Sequence, residues 1–397
     1  MPADAESRAT TRVAVVVGVV AMIVVAYARY ASPFRPGVRT TGGYYEHYDQ
    51  RVYLGLARTL SRFRLPNRNA YQFGLGYPAL GAAFSRLGFR GDPFAPVDVV
   101  SFGATAAMTV VLGARAASLF VRDHALAVLV GIAAAGLLVT GTGILPIVAI
   151  PWNSNLVLAL GVVVLVLVTS AHPISPARAA AIGLSLGWIF ATRYVDALFF
   201  GLPAVAAVVI RPSRERRRLV TMGGAAALVI VGVVLLTQHH AFGNPFTTPY
   251  HDHMRRGLGA DQSLSNYRIG WIPSHFWSTF VTGRLGSVRQ RGSPLLLLFP
   301  LLPLAGLGIV VLARSTRDRA RVVWIAAAIA SLASSLFYLS FVAGGAGDIK
   351  YGNQRYWAVW FPLWSVLIAV CIAIPLQWIA SRMKKPDASG QPAIGRN

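Results

Sequence analysis

Apolar residues along this chain gather into ten runs, each close to the ~20 residues that a membrane-spanning helix needs. They lie at 12–30, 96–119, 124–142, 148–170, 178–192, 194–210, 219–237, 294–313, 321–343 and 357–380. The fifth and sixth are short and nearly abut, so they read either as two helices meeting at a sharp turn or as one span with a broken half. The pattern predicts an all-α integral membrane protein of about ten transmembrane helices. It forms one membrane domain over 1–382, followed by a polar tail, 383–397, whose Lys, Pro, Gly, Ser and Gln content predicts disorder.

Charge between the runs supplies an independent ruler. The connection RPSRERRR at 211–218 carries five arginines, RSTRDRAR at 314–321 carries four, and Arg382, Lys384 and Lys385 follow the last run. Short cytoplasmic loops are enriched in Lys and Arg. Ten spans put all three markers on one side, together with the N-terminus, which predicts a multi-pass plasma-membrane protein with both termini cytoplasmic. The apolar stretch Val13–Val25, preceded by Arg8 and Arg12 and followed by AYA at 26–28, is also compatible with a cleaved signal peptide. An uncleaved anchor fits the loop count better. The opposite, extracytoplasmic side then receives a first outer loop at 31–95, a second at 238–293 and a short segment at 344–356. Loops this long between packed helices are usually functional.

Composition agrees. Of 397 residues, 55% are hydrophobic and 13% charged, with mean hydropathy +0.55 and net charge +23; soluble domains carry about 25% charged residues. The positive excess sits beside apolar runs rather than in a compact basic module, which points to membrane lipids and away from nucleic acid. The single cysteine, Cys371, allows neither an intrachain disulfide nor a cysteine-based zinc site.

The first outer loop carries the most chemistry. From Asp49 to Phe63 the spacing predicts an amphipathic helix with Val52, Leu56, Leu60 and Phe63 on one face and Arg51, Arg58 and Arg62 on another stripe. Such a helix suits the membrane interface, with arginines reaching toward headgroups. Asp49 at its start reads as a cap or as a catalytic base. Glu46 is either a second acid or a solvated one. Tyr44, Tyr45, Tyr48 and His47 offer rings that stack on a sugar or form an interfacial belt. The following FGLGYPALGAAFSRLG, broken by Gly and Pro, predicts a second juxtamembrane helix, re-entrant or interfacial. In the second outer loop His239, His240, His251, Asp252 and His253 bring a divalent metal to mind, but their spacing is not that of a reliable ligand set, so no metal or other cofactor is assigned. NYRIGWIPSHFWSTF at 266–280 predicts a further interfacial helix.

Several segments in order resemble the GT-C superfamily of membrane glycosyltransferases, which includes protein mannosyltransferases and aminoarabinose transferases. YDQRVYLGLARTL is similar to the family's acid followed by Y…A…L. GLGYPALGAAFSRLG resembles its next, proline-containing segment. GLSLGWIFATRYVDALFFGLP is similar to the G…G…R…P helix pair, with Arg193 and Pro203 in place. AFGNPFTTPY resembles an outer-loop element ending in Tyr250, and GNQRYWAVWFPLW resembles the RY…P entry to the final span, with Arg355, Tyr356 and Pro362. Where the family often has adjacent acids, Glu46 and Asp49 are separated by His47 and Tyr48.

The resemblance implies an inverting glycosyltransferase. It would take a sugar from a polyprenyl-phosphate donor on the outer face and pass it to a glycan, lipid or protein acceptor of the cell envelope. Such a transfer needs a base for the acceptor hydroxyl and positive charge for the phosphate. The resemblance makes Asp49, then Glu46, the base; Arg355, Arg193 and Lys350 the donor-phosphate cations; and Tyr45, Tyr53, Tyr250 and Tyr356 the substrate-binding rings. From the residues alone, Arg193 has a second reading as the partner of Asp196, and Arg355 as a side chain snorkelling to headgroups. A transporter or flippase of a lipid-linked or small solute is the competing class, though the runs show neither repeat symmetry nor mid-span charge.

Overall fold

The computed structural model describes residues 3–30, 48–121, 123–141, 143–252, 267–282, 294–315, 320–341 and 355–383. Among them the chain is helical, apart from one isolated bridge between Tyr267 and Phe341. The principal helices are α1 (Ala3–Tyr30), α2 (Tyr48–Ser61), α3 (Gly76–Arg86), α4 (Ala95–Ser118), α5 (His124–Gly141), α6 (Asn153–Val168), α7 (Pro176–Thr192), α8 (Tyr194–Ile210), α9 (Gly224–Phe242), α10 (Leu302–Ser315), α11 (Ala320–Ser340) and α12 (Phe361–Met383). Every one of the ten apolar runs holds a helix.

Five helical stretches among the described residues are long and apolar enough to cross a bilayer: Arg8–Tyr30, Ala95–Ser118, His124–Gly141, Ser213–Phe242 and Ala320–Ser340. Asn153–Val168, Tyr194–Ile210, Leu302–Arg314 and Phe361–Pro375 are shorter apolar helices. The protein is a membrane protein. The abutting runs resolve as two helices. α7 starts with Ser175 accepting a hydrogen bond from the Arg178 N–H and with Pro176 in its first turn. It stops where Arg193 adopts an extended backbone (φ −149°, ψ 99°), and α8 begins at the next residue.

α4 packs along α1 and α5, α6 along α4 and α7, α8 against α11, α9 against α7, and α12 against α10 and α5. Small residues let backbones approach, as at Gly131, where a Cβ would stand 2.2 Å from the Val110 carbonyl of α4. The first turns of α12 and the residues before it lie in the centre of the core, with Trp357, Trp360, Phe361, Val366 and Ile368 all at most 1% exposed.

Two short helices, α2 and α3, stand at the sequence positions where the two juxtamembrane helices are expected, and α3, with 11 residues, is too short to span. The buried face of α2 differs from the expected one. Tyr53, Leu54, Leu56 and Ala57 are buried, Val52 and Leu60 half-buried, and Phe63 falls beyond the helix end with 80% of its surface exposed. Alternation of apolar and polar residues could not register that Tyr53 would pack inward.

A polar network is buried where α1 ends. The Arg29 guanidinium donates to Asp92 (2.7 and 2.8 Å), to Asp98 (2.7 Å) and to the Ala149 carbonyl (3.2 Å). Asp98 also accepts from the Tyr77 hydroxyl at 2.8 Å and from Asn155 Nδ2 at 3.0 Å. Arg29 and Asp98 are both fully buried. The network ties the end of α1 and the starts of α4 and α6 to α3.

Candidate functional site

The start of α2 and the approach to α12 meet at this same end of the bundle. Asp49, in the first turn of α2, places Oδ2 3.1 Å from Nη1 of Arg355, which opens the turn Arg355–Ala358. A carboxylate there also suits the positive end of the helix dipole. Both side chains keep about a fifth of their surface open (20% for Asp49, 19% for Arg355). The Arg355 guanidinium lies 4.0 Å from the ring centre of Trp152 and 5.1 Å from that of Tyr356, and donates to the Tyr356 hydroxyl at 3.3 Å. It is therefore packed against two aromatic rings with one nitrogen toward the acid.

Tyr356 stacks on Tyr338 of α11, with centroids 4.6 Å apart. Beneath them Arg193, at the α7–α8 turn, donates to the Tyr338 hydroxyl at 2.6 Å and sets Nε 2.8 Å from Asp196 Oδ2. The Tyr338 hydroxyl donates onward to Asp196 Oδ1 at 2.9 Å. Arg193 thus has the Asp196 partner that the three-residue spacing allows, yet its Nη1 is buried without a hydrogen-bond partner. Its guanidinium lies 5.3 Å from the Tyr356 ring centre, so one tyrosine links the two arginines.

Around this core stand rings from the segment that follows α9. Tyr250 and Tyr267 pack on Phe341, 6.1 and 5.1 Å between centroids, and Phe341 meets Tyr356 at 6.3 Å. The Arg268 N–H donates to the Ser340 carbonyl at 2.8 Å and fastens that segment to the end of α11. Burial, then the neighbouring Tyr356, pushes the Tyr267 hydroxyl up to about 12. Burial likewise raises Tyr250 and Tyr53, with the Asp49 carboxylate adding to Tyr53. Tyr53 turns its ring into a closed aromatic group with Phe73, Tyr77 and Phe94, centroids 5.3, 5.5 and 6.5 Å away. It supports α2 from beneath rather than offering an open face.

The two loops also clasp one another. Asp252 pairs with Arg68 (2.5 and 3.0 Å) and Tyr71 stacks on Phe242 at 5.5 Å, while Gln238 joins α9 to α8 by donating to the Tyr194 hydroxyl at 2.9 Å. Before α3 the chain presses against the α7–α8 turn. A Cβ on Gly74 would stand 2.4 Å from the Thr192 carbonyl, and one on Gly76 2.3 Å from the Thr192 hydroxyl. Only glycine lets the backbone come this close.

Of the residues singled out from sequence, Asp49, Arg355, Tyr356, Arg193 and Tyr250 gather here, with Tyr53 below. Tyr45, Glu46 and Lys350 lie outside the described residues. Trp152 and Tyr338 were not foreseen. Each sits near the end of an apolar run, where an aromatic reads as an interfacial anchor, and nothing in local spacing links either to an arginine. Among the described residues no group of three or more His, Cys, Asp or Glu could hold a metal. Asp49 and Asp196 each face a guanidinium, which is not a metal-ligand set.

No family model matches the sequence, and no curated protein matches it. Solved structures share its course. AglB, the oligosaccharyltransferase of Archaeoglobus fulgidus, in complex with an inhibitory peptide and a dolichol-phosphate, is 13% identical with a TM-score of 0.57, over 96% of this chain and 52% of its own. The apo form of the A. fulgidus oligosaccharyltransferase is 12% identical with a TM-score of 0.56, over 93% and 51%. ArnT from Cupriavidus metallidurans bound to undecaprenyl phosphate is 17% identical with a TM-score of 0.48, over 94% and 62%. This chain therefore spans between half and two thirds of the length of these neighbours. The fold is the one that these oligosaccharyltransferase structures have, in keeping with the resemblance seen in the sequence.

Proposed function

We propose that the protein is a membrane glycosyltransferase that takes a sugar from a polyprenyl-phosphate donor and passes it to a hydroxyl-bearing acceptor of the cell envelope, with inversion. The observation that carries this reading is the open pair of Asp49 and Arg355, one acid and one cation from distant parts of the chain, 3.1 Å apart at the rim of a bundle with the GT-C fold. The dolichol-phosphate in the AglB complex supports the donor class.

The chemistry follows from the charges. The acceptor oxygen attacks the anomeric carbon, and the bond from that carbon to the phosphate oxygen breaks. The acceptor proton goes to the Asp49 carboxylate. The electron pair leaves with the prenyl phosphate, whose charge Arg355 receives through its planar donor edge. Arg193, with its unpartnered Nη1, stands behind Arg355 as a second cation. Without donor the acid and the arginine satisfy each other. A bound phosphate competes for Arg355 and releases Asp49, so the base becomes available when there is a sugar to transfer. The rings of Tyr356 and Tyr250 border the space for sugar and acceptor. Glu46 as second acid, Lys350 as further cation and Tyr45 as a stacking ring complete the proposed site, and no step runs through a metal.

The same reading takes about ten helices as spans, both termini as cytoplasmic and the site as extracytoplasmic in the plasma membrane. The arginine-rich connections, all on one side of that count, support it. The test is transfer of a labelled sugar from polyprenyl-phosphate donors to cell-envelope acceptors by the purified full chain in liposomes. We expect transfer by the parent and a rate lower by about 10²–10⁴-fold in Asp49→Asn at equal expression. Full activity in that variant removes Asp49 from the chemistry.

A further inference from the structure

At the far end of α2 from Asp49, the chain builds a second basic feature that the transfer reaction does not use. Arg58, Ser61 and Arg62 from the end of α2 face Ser85, Arg86 and Arg90 from the end of α3 across a concavity of about 760 Å³. No carboxylate lines it. Arg58, Arg62 and Arg90 have no acidic partner among the described residues, and Arg86 spends its Nε on the Ser61 carbonyl at 2.7 Å. Four guanidinium groups around one hollow repel each other, and Arg58 and Arg62 do so at one-turn spacing. An anion seated between them removes that repulsion, and a tetrahedral phosphate matches the forked donors of arginine.

The surroundings say where the phosphate comes from. Phe63, Leu65, Leu87 and Phe89, on the two loops flanking the hollow, are all exposed, at 80, 55, 72 and 49%. Phe63 holds a left-handed backbone (φ 55°), a conformation uncommon for a bulky residue. The Arg86 guanidinium lies 3.5 Å from its ring centre. The ring is thus presented outward beside the cations. Apolar side chains standing proud next to a cluster of arginines are the pairing that interfacial segments use, with rings entering the acyl boundary and cations taking headgroups.

We propose that this cradle binds the phosphate of an anionic phospholipid headgroup and anchors the α2–α3 pair to the bilayer surface. The inference rests on the membrane assignment of the chain and not on the transferase reading. Its consequence for the site is mechanical. The lipid holds one end of α2, and Asp49 sits at the other.

The experiment is native mass spectrometry of the purified full chain in detergent, titrated separately with phosphatidylglycerol, phosphatidylcholine and inorganic phosphate. At about fivefold per arginine near a charged surface, the parent is expected to retain phosphatidylglycerol at least tenfold over phosphatidylcholine. Arg58→Gln/Arg62→Gln/Arg86→Gln/Arg90→Gln is expected to lose that preference. Arg214→Gln/Arg217→Gln, in the arginine-rich connection elsewhere, keeps it. If the fourfold variant does not keep the parent's Tm, Arg86→Gln/Arg90→Gln, on the end of α3 and the turn after it, is read instead. Equal retention by the parent and the cradle variants, or equal binding of the two lipids, overturns the proposal. Displacement of phosphatidylglycerol by equimolar inorganic phosphate overturns the lipid as the ligand. Sugar transfer is not measured, so failure of the transferase reading leaves this result intact.

Discussion

Two carboxylate–guanidinium pairs stand at the same end of this bundle, and their surroundings separate them. Asp98 and Arg29 are fully buried, with further bonds from Tyr77, Asn155 and Asp92. Asp49 and Arg355 keep about a fifth of their surfaces open, and Arg355 is steadied by rings rather than by further carboxylates. Removing one partner of a buried pair strands a charge where water cannot reach it. Removing one partner of an open pair lets solvent or a ligand take its place. The first arrangement suits a fixed frame, and the second suits a group that must exchange partners during a reaction.

That contrast breaks most visibly at Asp98. Asp98→Ala should lose about 3 kcal/mol of stability by removing the acceptor that the buried Tyr77 hydroxyl and Asn155 amide share and leaving Arg29 with Asp92 as its one remaining carboxylate in the network, read as a large fall in the Tm of the purified protein; a Tm unchanged within error would make the network dispensable. Next comes Asp49→Asn, expected to lower the sugar-transfer rate by about 10²–10⁴-fold, the usual worth of a positioned base. Arg355→Gln should raise the KM for the lipid-linked donor by about 10- to 100-fold, since a hydrogen bond to a charged group is worth ~1.5–3 kcal/mol; an effect on the acceptor KM alone would move Arg355 to the other substrate. The smallest effect sharpens the contrast. Asp49→Asn should change stability by no more than about 1 kcal/mol, as expected of an ion pair with access to solvent. A loss as large as that of Asp98→Ala would make the outer pair structural too.

What the sequence revealed follows the range over which each signal acts. Hydrophobic runs are local, so helices stand at all ten, and the Arg193 break between two of them shows as a charged residue in an otherwise apolar stretch. Asp49, Arg355 and Tyr356 were singled out because each lies in a segment resembling a GT-C motif, Asp49 at the start of an amphipathic helix and the other two just before the last run. Their meeting is a tertiary fact that no spacing encodes. The Arg29–Asp98 network went unseen for the same reason, since an arginine at a span's end looks like one reaching for headgroups. α2 was placed correctly, but its inward face was rotated, because Tyr53 counts as polar in a pattern and as a buried ring in the fold.

The glycine contacts at Thr192 bear on how the two halves of the site move. Backbone meeting backbone without intervening side chains leaves no soft material to absorb a displacement. A shift of the segment that leads into α3 is therefore handed almost undamped to the turn that carries Arg193, as between the arms of a caliper. Whatever grips one arm sets the opening of the other.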